Sequence, residues 1–131
     1  MNQLSEGQTL EISKLVTNEY VLQTAEWSGD RNPVHLSDNF AAGTRFKKRI
    51  AHGLVCLGMV SNVLGNSLQG AILVGQTVQY NAPVYIGDTI TCKVTVEKLI
   101  SAKHLAELQY TCINQDNINV TSGTIRIKYP H

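Results

Sequence analysis

An acid, an amide and an imidazole lie within six residues of one another in the stretch SGDRNPVH. Pro33 fixes its own φ angle and biases Asn32 toward an extended backbone, while Gly29 permits a sharp entry into the turn. The turn is therefore stiff, and it presents Asp30 and His35 from its two ends. A carboxylate and an imidazole held a few ångströms apart can bind one water molecule and transfer its protons. Addition of water across an activated double bond needs this chemistry.

Such a reaction also needs a polarised carbonyl group, and the start of a long apolar segment offers a place for it. His52 and Gly53 lie at this start, where the first backbone N–H groups of a helix have no partner within the helix. A glycine lets a substrate carbonyl approach the backbone closely, and the helix dipole favours negative charge at this end. Gly53 is therefore the candidate for stabilising an enolate.

The elements that must position these groups follow from the hydrophobic pattern. Residues 17–27 predict a helix that is capped by Thr17 and ends at the Ser-Gly-Asp turn. Ser37 predicts the start of a second, short helix, which Gly43 ends. Residues 52–68 are apolar nearly all round, which predicts a helix that is buried on most sides.

From residue 71 onward the hydrophobic period changes to two. The strictly alternating segments are 89–98, 105–113 and 123–129. Residues 71–80 predict one further strand, which Pro83 ends or bends, and residues 8–13 predict an edge strand. Alternation with one polar face is typical of an antiparallel sheet, whose apolar face must be covered. The long apolar helix is the only large partner in the sequence, so we expect an α+β hot-dog fold: an antiparallel sheet wrapped around one central helix.

Composition limits the classes of function. The chain has 131 residues, 43% of them hydrophobic and 16% charged, which predicts one domain over residues 1–131. A net charge of +1 gives no electrostatic case for binding nucleic acid or an acidic membrane. So few charges favour burial of some surface against a second copy, and we expect a homodimer.

The cysteines and the apolar runs indicate a compartment. Cys56, Cys92 and Cys112 are odd in number, widely spaced and flanked by apolar residues, which predicts reduced thiols in the core. The N-terminal residues lack the apolar region of a secretory signal, and no apolar run is long enough to span a bilayer. The expected location is cytoplasmic.

These motifs together resemble those of the MaoC-like (R)-specific enoyl-CoA hydratases, the hydratase 2 family. The octapeptide, followed after five residues by Ala41, is similar to the hydratase 2 motif and is specific. Further matches are Ala51-His52-Gly53-Leu54, Gly75-Gln76 and Pro83-Val84-Tyr85-Ile86-Gly87-Asp88, so that the resemblance covers roughly residues 25–130. The last of these elements is common among hot-dog proteins, and Trp27 departs from the aliphatic residue usual before the motif.

The resemblance implies a hydro-lyase that reversibly adds water to trans-2-enoyl thioesters and forms (R)-3-hydroxyacyl thioesters without a metal or organic cofactor. It implies that Asp30 and His35 are the catalytic pair and that the Gly53 N–H binds the thioester carbonyl. Asn32 would hold or orient the turn, and Ser61 matches a serine associated with the site. The acyl chain would lie along the buried helix, near residues such as Leu57 and Leu64.

Each of these residues also has a simpler interpretation. The groups of the turn can satisfy one another, Gly53 can be an ordinary helix-start glycine, and Ser61 can bond back to its own helix. The basic run of Arg45, Lys47, Lys48 and Arg49 can meet the phosphates of coenzyme A or belong to a solvated loop. A metal site formed by His52 with Asp30 and His35 lacks the usual histidine pair or cysteine cluster.

Three other functions compete with the hydratase. A dehydratase acting on acyl carrier protein would use the same residues, so the sequence does not separate the two. A thioesterase usually places a carboxylate near the helix, and residues 52–68 contain no Asp or Glu. A non-catalytic acyl-thioester-binding module need not keep both Asp30 and His35. The sequence also leaves open which member of the pair is the acid and which the base.

Overall fold

The computed structural model describes residues 4–130. Its strands are β1 (Thr9–Leu15), β2 (Ile72–Gln76), β3 (Gln79–Tyr80), β4 (Thr89–Ile100), β5 (Leu105–Ile113) and β6 (Asn119–Lys128). Its α-helices are α1 (Asn18–Ser28), α2 (Pro33–Leu36), α3 (Asp38–Ala42) and α4 (Leu54–Ser67). A short 3₁₀ turn, Ser101–Lys103, joins β4 to β5.

The strands form one antiparallel sheet in the order β1-β4-β5-β6-β2, and β3 also pairs with β6. The predicted alternation is confirmed over most of its length, since every second residue of 90–96, 106–112 and 125–127 faces a common core. The buried strand residues that alternate in this way are Ile90, Cys92, Val94, Val96, Ala106, Leu108, Tyr110, Cys112, Ile125 and Ile127, and the adjacent Val120 and Thr121 near the start of β6 are also buried. They pack with the buried side of α4, which contributes Cys56, Met59, Val60, Val63 and Leu64. The predicted hot-dog fold is therefore confirmed.

The three cysteines lie in this core as free thiols, as predicted. Cys92 and Cys112 are directly opposite each other on β4 and β5, and Cys56 reaches them from α4. A hydrogen bond with Cys112, together with burial, raises the pKa of the Cys56 thiol. The Cys56 thiol therefore stays protonated inside the folded protein.

The helix boundaries follow from their caps. The Thr17 hydroxyl accepts the Tyr20 N–H at 3.1 Å, and Gly29 ends α1 in the left-handed conformation, with φ 77°. Ser37 caps α3 in the same way, and Gly43 ends it. These caps agree with the prediction, because short polar side chains satisfy N–H groups that the helix leaves free.

One prediction for the segments around the sheet was wrong. The segment 71–80 forms two strands, because the Thr77 carbonyl turns inward and accepts the Tyr110 hydroxyl at 2.8 Å, against Gly123. A Cβ at Gly123 would overlap this carbonyl, so the break depends on a glycine in β6. Helix α4 agrees with the prediction of a helix buried on most sides, and Leu54, Gly58, Ser61 and Gly65 form the one face left exposed. No helix within residues 4–130 has the length and apolar content needed to cross a bilayer.

Candidate active site

The turn between α1 and α2 is built from short side chains that bond to the backbone. The Ser28 hydroxyl accepts the Asp30 N–H at 3.1 Å, and Asp30 Oδ1 accepts the Asn32 N–H at 3.1 Å. Asn32 Oδ1 in turn accepts the Val34 N–H at 3.2 Å and caps α2, where Pro33 occupies the first position. The sequence predicted a turn here and missed the single helical turn of α2, which proline at the first position favours.

His35 points from α2 into the protein and is buried. Its Nδ1 lies 2.8 Å from the carbonyl oxygen of Ile50. Because a carbonyl only accepts hydrogen bonds, Nδ1 carries the proton and Nε2 keeps a lone pair. Burial lowers the pKa of His35; the Ile50 hydrogen bond opposes this, the neighbouring His52 lowers the pKa further, and Asp30 raises it. The balance favours a neutral imidazole that can accept a proton at Nε2.

Arg49 fixes His35 to the first helix. Its Nε donates to the His35 carbonyl at 2.7 Å, and its Nη2 donates to Asn18 Oδ1 at 2.7 Å. This member of the basic run therefore has a structural role in the turn. Arg45 differs, because it lies on the same cleft as His35.

Gly53 precedes α4, and no hydrogen bond joins its N–H to any other of residues 4–130. The ring of Tyr80 lies against it, so that a Cβ at this position would come within 2.5 Å of Tyr80 Cε1. A side chain at this position would therefore have to displace the Tyr80 ring. Tyr80 is a site residue that the sequence analysis missed, because nothing in the local pattern connects β3 with the start of α4.

A cleft of about 510 Å³ brings these groups together. Its lining includes His35, Arg45, Gly53, Tyr80 and Thr121. An unpaired backbone donor, an imidazole and a cation therefore face one space. The arrangement can hold a carbonyl group and an adjacent reacting carbon.

Ser61 is not part of this cleft. It lies two helical turns beyond Gly53, on the exposed face of α4, and lines a separate cleft of about 200 Å³. The lining of this second cleft is mainly apolar and includes Leu57, Leu64 and Ile127. The structure thus separates Ser61 from the Asp30–His35 pair and groups it with the residues expected along the acyl chain.

His52 is the third titratable residue beside Asp30 and His35. Ligand atoms of Asp30, His35 and His52 all lie within 4.8 Å of one another, which is close enough for metal coordination. The two imidazole rings, however, are stacked with centroids 3.9 Å apart and planes inclined by 30°. The lone pairs of a ring lie in its plane, so those of two stacked rings run side by side and do not converge on one ion. Hydrogen bonding explains this cluster better than a metal centre.

A sheet wrapped around one helix, with an acid–imidazole pair beside the start of that helix, defines a hot-dog protein with a candidate active site. The sequence profile described as MaoC like domain matches residues 2–116, and the chain belongs to this family. The resemblance found in the sequence is confirmed.

Individual relatives agree with this assignment. The chain is 43% identical over 129 residues to a 3-hydroxybutyryl-CoA dehydratase of Methylorubrum extorquens, covering 97% of this chain and 82% of that protein. It is 34% identical to an (R)-specific enoyl-CoA hydratase of Aeromonas caviae, covering 97% of this chain and 96% of the relative. The solved structure of an (R)-hydratase of A. caviae involved in PHA biosynthesis has a TM-score of 0.94 and 33% identity, covering 99% of this chain and 100% of that one.

Proposed function

We propose that this protein is an (R)-specific enoyl-CoA hydratase, a hydro-lyase that reversibly adds water to trans-2-enoyl thioesters. The observation that carries the proposal is that His35 lies within 4.8 Å of Asp30 and also lines the cleft of Gly53, whose N–H is unpaired among the described residues. The hydratase and dehydratase relatives support it, because they perform the two directions of one reaction.

In the proposed reaction, a water molecule lies between the Asp30 carboxyl group and His35 Nε2. One of these groups takes a proton from the water molecule while the water oxygen bonds to carbon 3 of the substrate. The π electrons move onto the thioester oxygen, where the Gly53 N–H and the N-terminal end of α4 stabilise the enolate. The enolate then collapses and carbon 2 takes up a proton from the pair. We treat Asp30 and His35 as one proton-transfer unit.

No metal or organic cofactor takes part in this scheme, because the thioester supplies the activation. The carrier would be coenzyme A, and Arg45 at the main cleft offers a cation for its phosphates. Asn32 would serve as the frame of the turn, since its side chain caps α2. An acyl carrier protein as the alternative carrier is tested by offering the same acyl chain on both carriers.

The acyl chain would extend into the cleft lined by Leu57, Ser61 and Leu64. Replacing Leu64 by alanine should enlarge this space and shift the kcat/KM preference toward longer enoyl chains. The measurement is kcat/KM for a series of trans-2-enoyl-CoA substrates. Leu22→Ala, at an exposed position on α1, is the control. An unchanged chain-length preference in Leu64→Ala contradicts this placement.

The activity itself is tested with a short trans-2-enoyl-CoA, by following the loss of the conjugated thioester and determining the configuration of the product. Asp30→Asn and His35→Ala should each lower kcat by about 10²–10⁴, the usual contribution of general acid–base catalysis. Asp38→Asn, an exposed acid on α3, should leave kcat unchanged. Full activity of either pair variant overturns the mechanism, and release of free coenzyme A would instead identify a thioesterase.

We further propose that the chain is one domain that forms a cytoplasmic homodimer. The described elements share one hydrophobic core, which supports a single domain. Exposed apolar residues on β2, an outer strand, support pairing with a second copy. The reduced core thiols support a reducing compartment.

A further inference from the structure

His52 contacts both members of the Asp30–His35 pair. Its Nε2 lies 3.0 Å from the backbone carbonyl oxygen of Asp30, and its ring stacks on the His35 imidazole at a centroid distance of 3.9 Å. The residue is buried and directly precedes Gly53 at the start of α4. One side chain therefore joins the turn, the imidazole and the start of the helix.

We propose that His52 is a positioning residue, which holds the Asp30 backbone and the His35 ring at a fixed spacing so that both reach the same water molecule. The role rests on the proposed hydration reaction, because a fixed spacing matters when the two groups act together on one water. In this role His52 acts through its two neighbours and does not itself react.

The hydrogen bond defines which nitrogen of His52 carries the proton. The Asp30 carbonyl can only accept, so the donor is Nε2–H, and Nδ1 is left with its lone pair. This Nδ1 is buried and has no hydrogen-bond partner among the described residues. An unpaired buried polar atom costs free energy that an apolar ring of the same shape would avoid. The presence of a histidine at position 52 is therefore better explained by its Nε2–H donor than by the shape of its ring.

His52 also affects the protonation of its neighbour. The titratable and charged groups around His35 are Asp30, His52, Arg49 on its backbone carbonyl, and Arg45 and Tyr80 across the cleft. Burial is the largest influence and lowers the pKa of His35; the Ile50 carbonyl then raises it, His52 lowers it and Asp30 raises it. Removing the His52 ring should therefore raise the pKa of His35.

Two variants separate the donor from the ring. His52→Phe keeps an aromatic ring on His35 but has no N–H for the Asp30 carbonyl. His52→Gln keeps an amide N–H but has no ring. We expect His52→Phe to lower kcat on the order of tenfold to a hundredfold with KM little changed, because small displacements of catalytic groups have effects of this size. We expect His52→Gln to retain more of kcat and to titrate at His35 with a higher pKa.

Nuclear magnetic resonance of histidine-¹⁵N-labelled protein tests the contacts without substrate. The wild-type protein should show the proton on Nε2 of His52 and on Nδ1 of His35. This measurement decides the point even where a variant fails to fold. His104→Asn, at a left-handed position that asparagine accepts, is the control and should change neither kcat nor the His35 titration.

Two results overturn the positioning role: a wild-type His52 with its proton on Nδ1, or a folded His52→Phe variant with wild-type kcat. The proposed function fails separately. If the wild-type protein hydrates no trans-2-enoyl thioester while the expected tautomers are observed, the hydratase assignment is overturned and the His52 contacts stand.

Discussion

The space for a side chain at position 53 is restricted by Tyr80, which lies almost thirty positions further along the chain. The Tyr80 ring occupies the space where a Cβ would lie, and Tyr80 itself is largely exposed. An exposed ring can move when a side chain is added, so a substitution at Gly53 should disturb the cleft more than the fold. Such a substitution keeps the backbone N–H of residue 53. It therefore tests whether a substrate carbonyl can reach this donor, and not whether the donor is present.

Gly53→Ala should therefore lower kcat/KM by about tenfold or more, because the added methyl group or the displaced ring obstructs the carbonyl's approach. The melting temperature should change little. The double variant Gly53→Ala/Tyr80→Ala should recover part of kcat/KM, since the ring is then absent. Steady-state kinetics and thermal melts check both statements; no recovery in the double variant would show that Tyr80 is not the obstacle.

The protonation of His35 gives a second prediction at the scale of single residues. Burial lowers its pKa, so between the folded value and the ordinary value of 6.5 the unfolded chain binds more protons than the folded one. The free energy of unfolding should thus decrease as the pH falls below about 6.5. Urea denaturation at pH 7.5 and 5.0 measures this, and His35→Gln should show a smaller decrease. An equal decrease in the wild-type protein and in His35→Gln would contradict a lowered pKa of His35.

At the scale of elements, the site depends on how the turn is tied to its neighbours. Arg49 links the His35 carbonyl of α2 to Asn18 at the start of α1, and Ile50 receives the His35 Nδ1–H. The connection between α3 and α4 therefore holds His35 both by its backbone carbonyl and by its ring. Asn18, Arg49 and Ile50 all lie outside the octapeptide that carries the family motif.

Arg49→Met should lower the free energy of unfolding by about 1–3 kcal/mol, because the His35 carbonyl loses a charged hydrogen-bond donor. It should also lower kcat, since the turn becomes less fixed. Arg126→Met, which removes an exposed ion pair with Glu107, is the matched control and should cost less than about 1 kcal/mol. Denaturant unfolding compares the two; equal losses would argue against a specific role for Arg49.

The same elements show what the sequence could predict. Thr17 and Ser37 are caps whose effect is local, and the alternation of β4 and β5 reports a buried face directly, so these elements were found. The break between β2 and β3 depends on a glycine in β6, a contact made only after folding. The contacts of Tyr80 and Arg49 were not predicted for the same reason, because their partners are distant in sequence. Ser61 was matched by resemblance alone, which does not give its distance from the pair.

At the scale of the whole molecule, the two edges of the sheet differ. On β2, Ile72 is 64% exposed and Val74 is 52% exposed, and the exposed face of α4 carries the small residues Gly58 and Gly65. On the opposite edge, β1 alternates exposed with half-buried residues and includes polar side chains. An apolar outer strand left open to solvent favours association.

Ile72→Lys should therefore convert the proposed dimer into a monomer, because a charge would be buried at the contact. Leu15→Lys, on the outer strand β1 and 53% exposed, should leave the dimer intact. Sedimentation velocity distinguishes the two species. A dimer that survives Ile72→Lys and dissociates in Leu15→Lys would assign the contact to the other edge.

The three core thiols allow the opening of the core to be measured by chemical labelling. Cys56, Cys92 and Cys112 are buried and lack disulfides, and their sulfur atoms are shielded from reagents while the sheet stays closed around α4. Alkylation by an excess of a thiol reagent thus proceeds through molecules in which the core has opened. The labelling rate in plain buffer, compared with that of the denatured chain, reports the free energy of this opening without any denaturant.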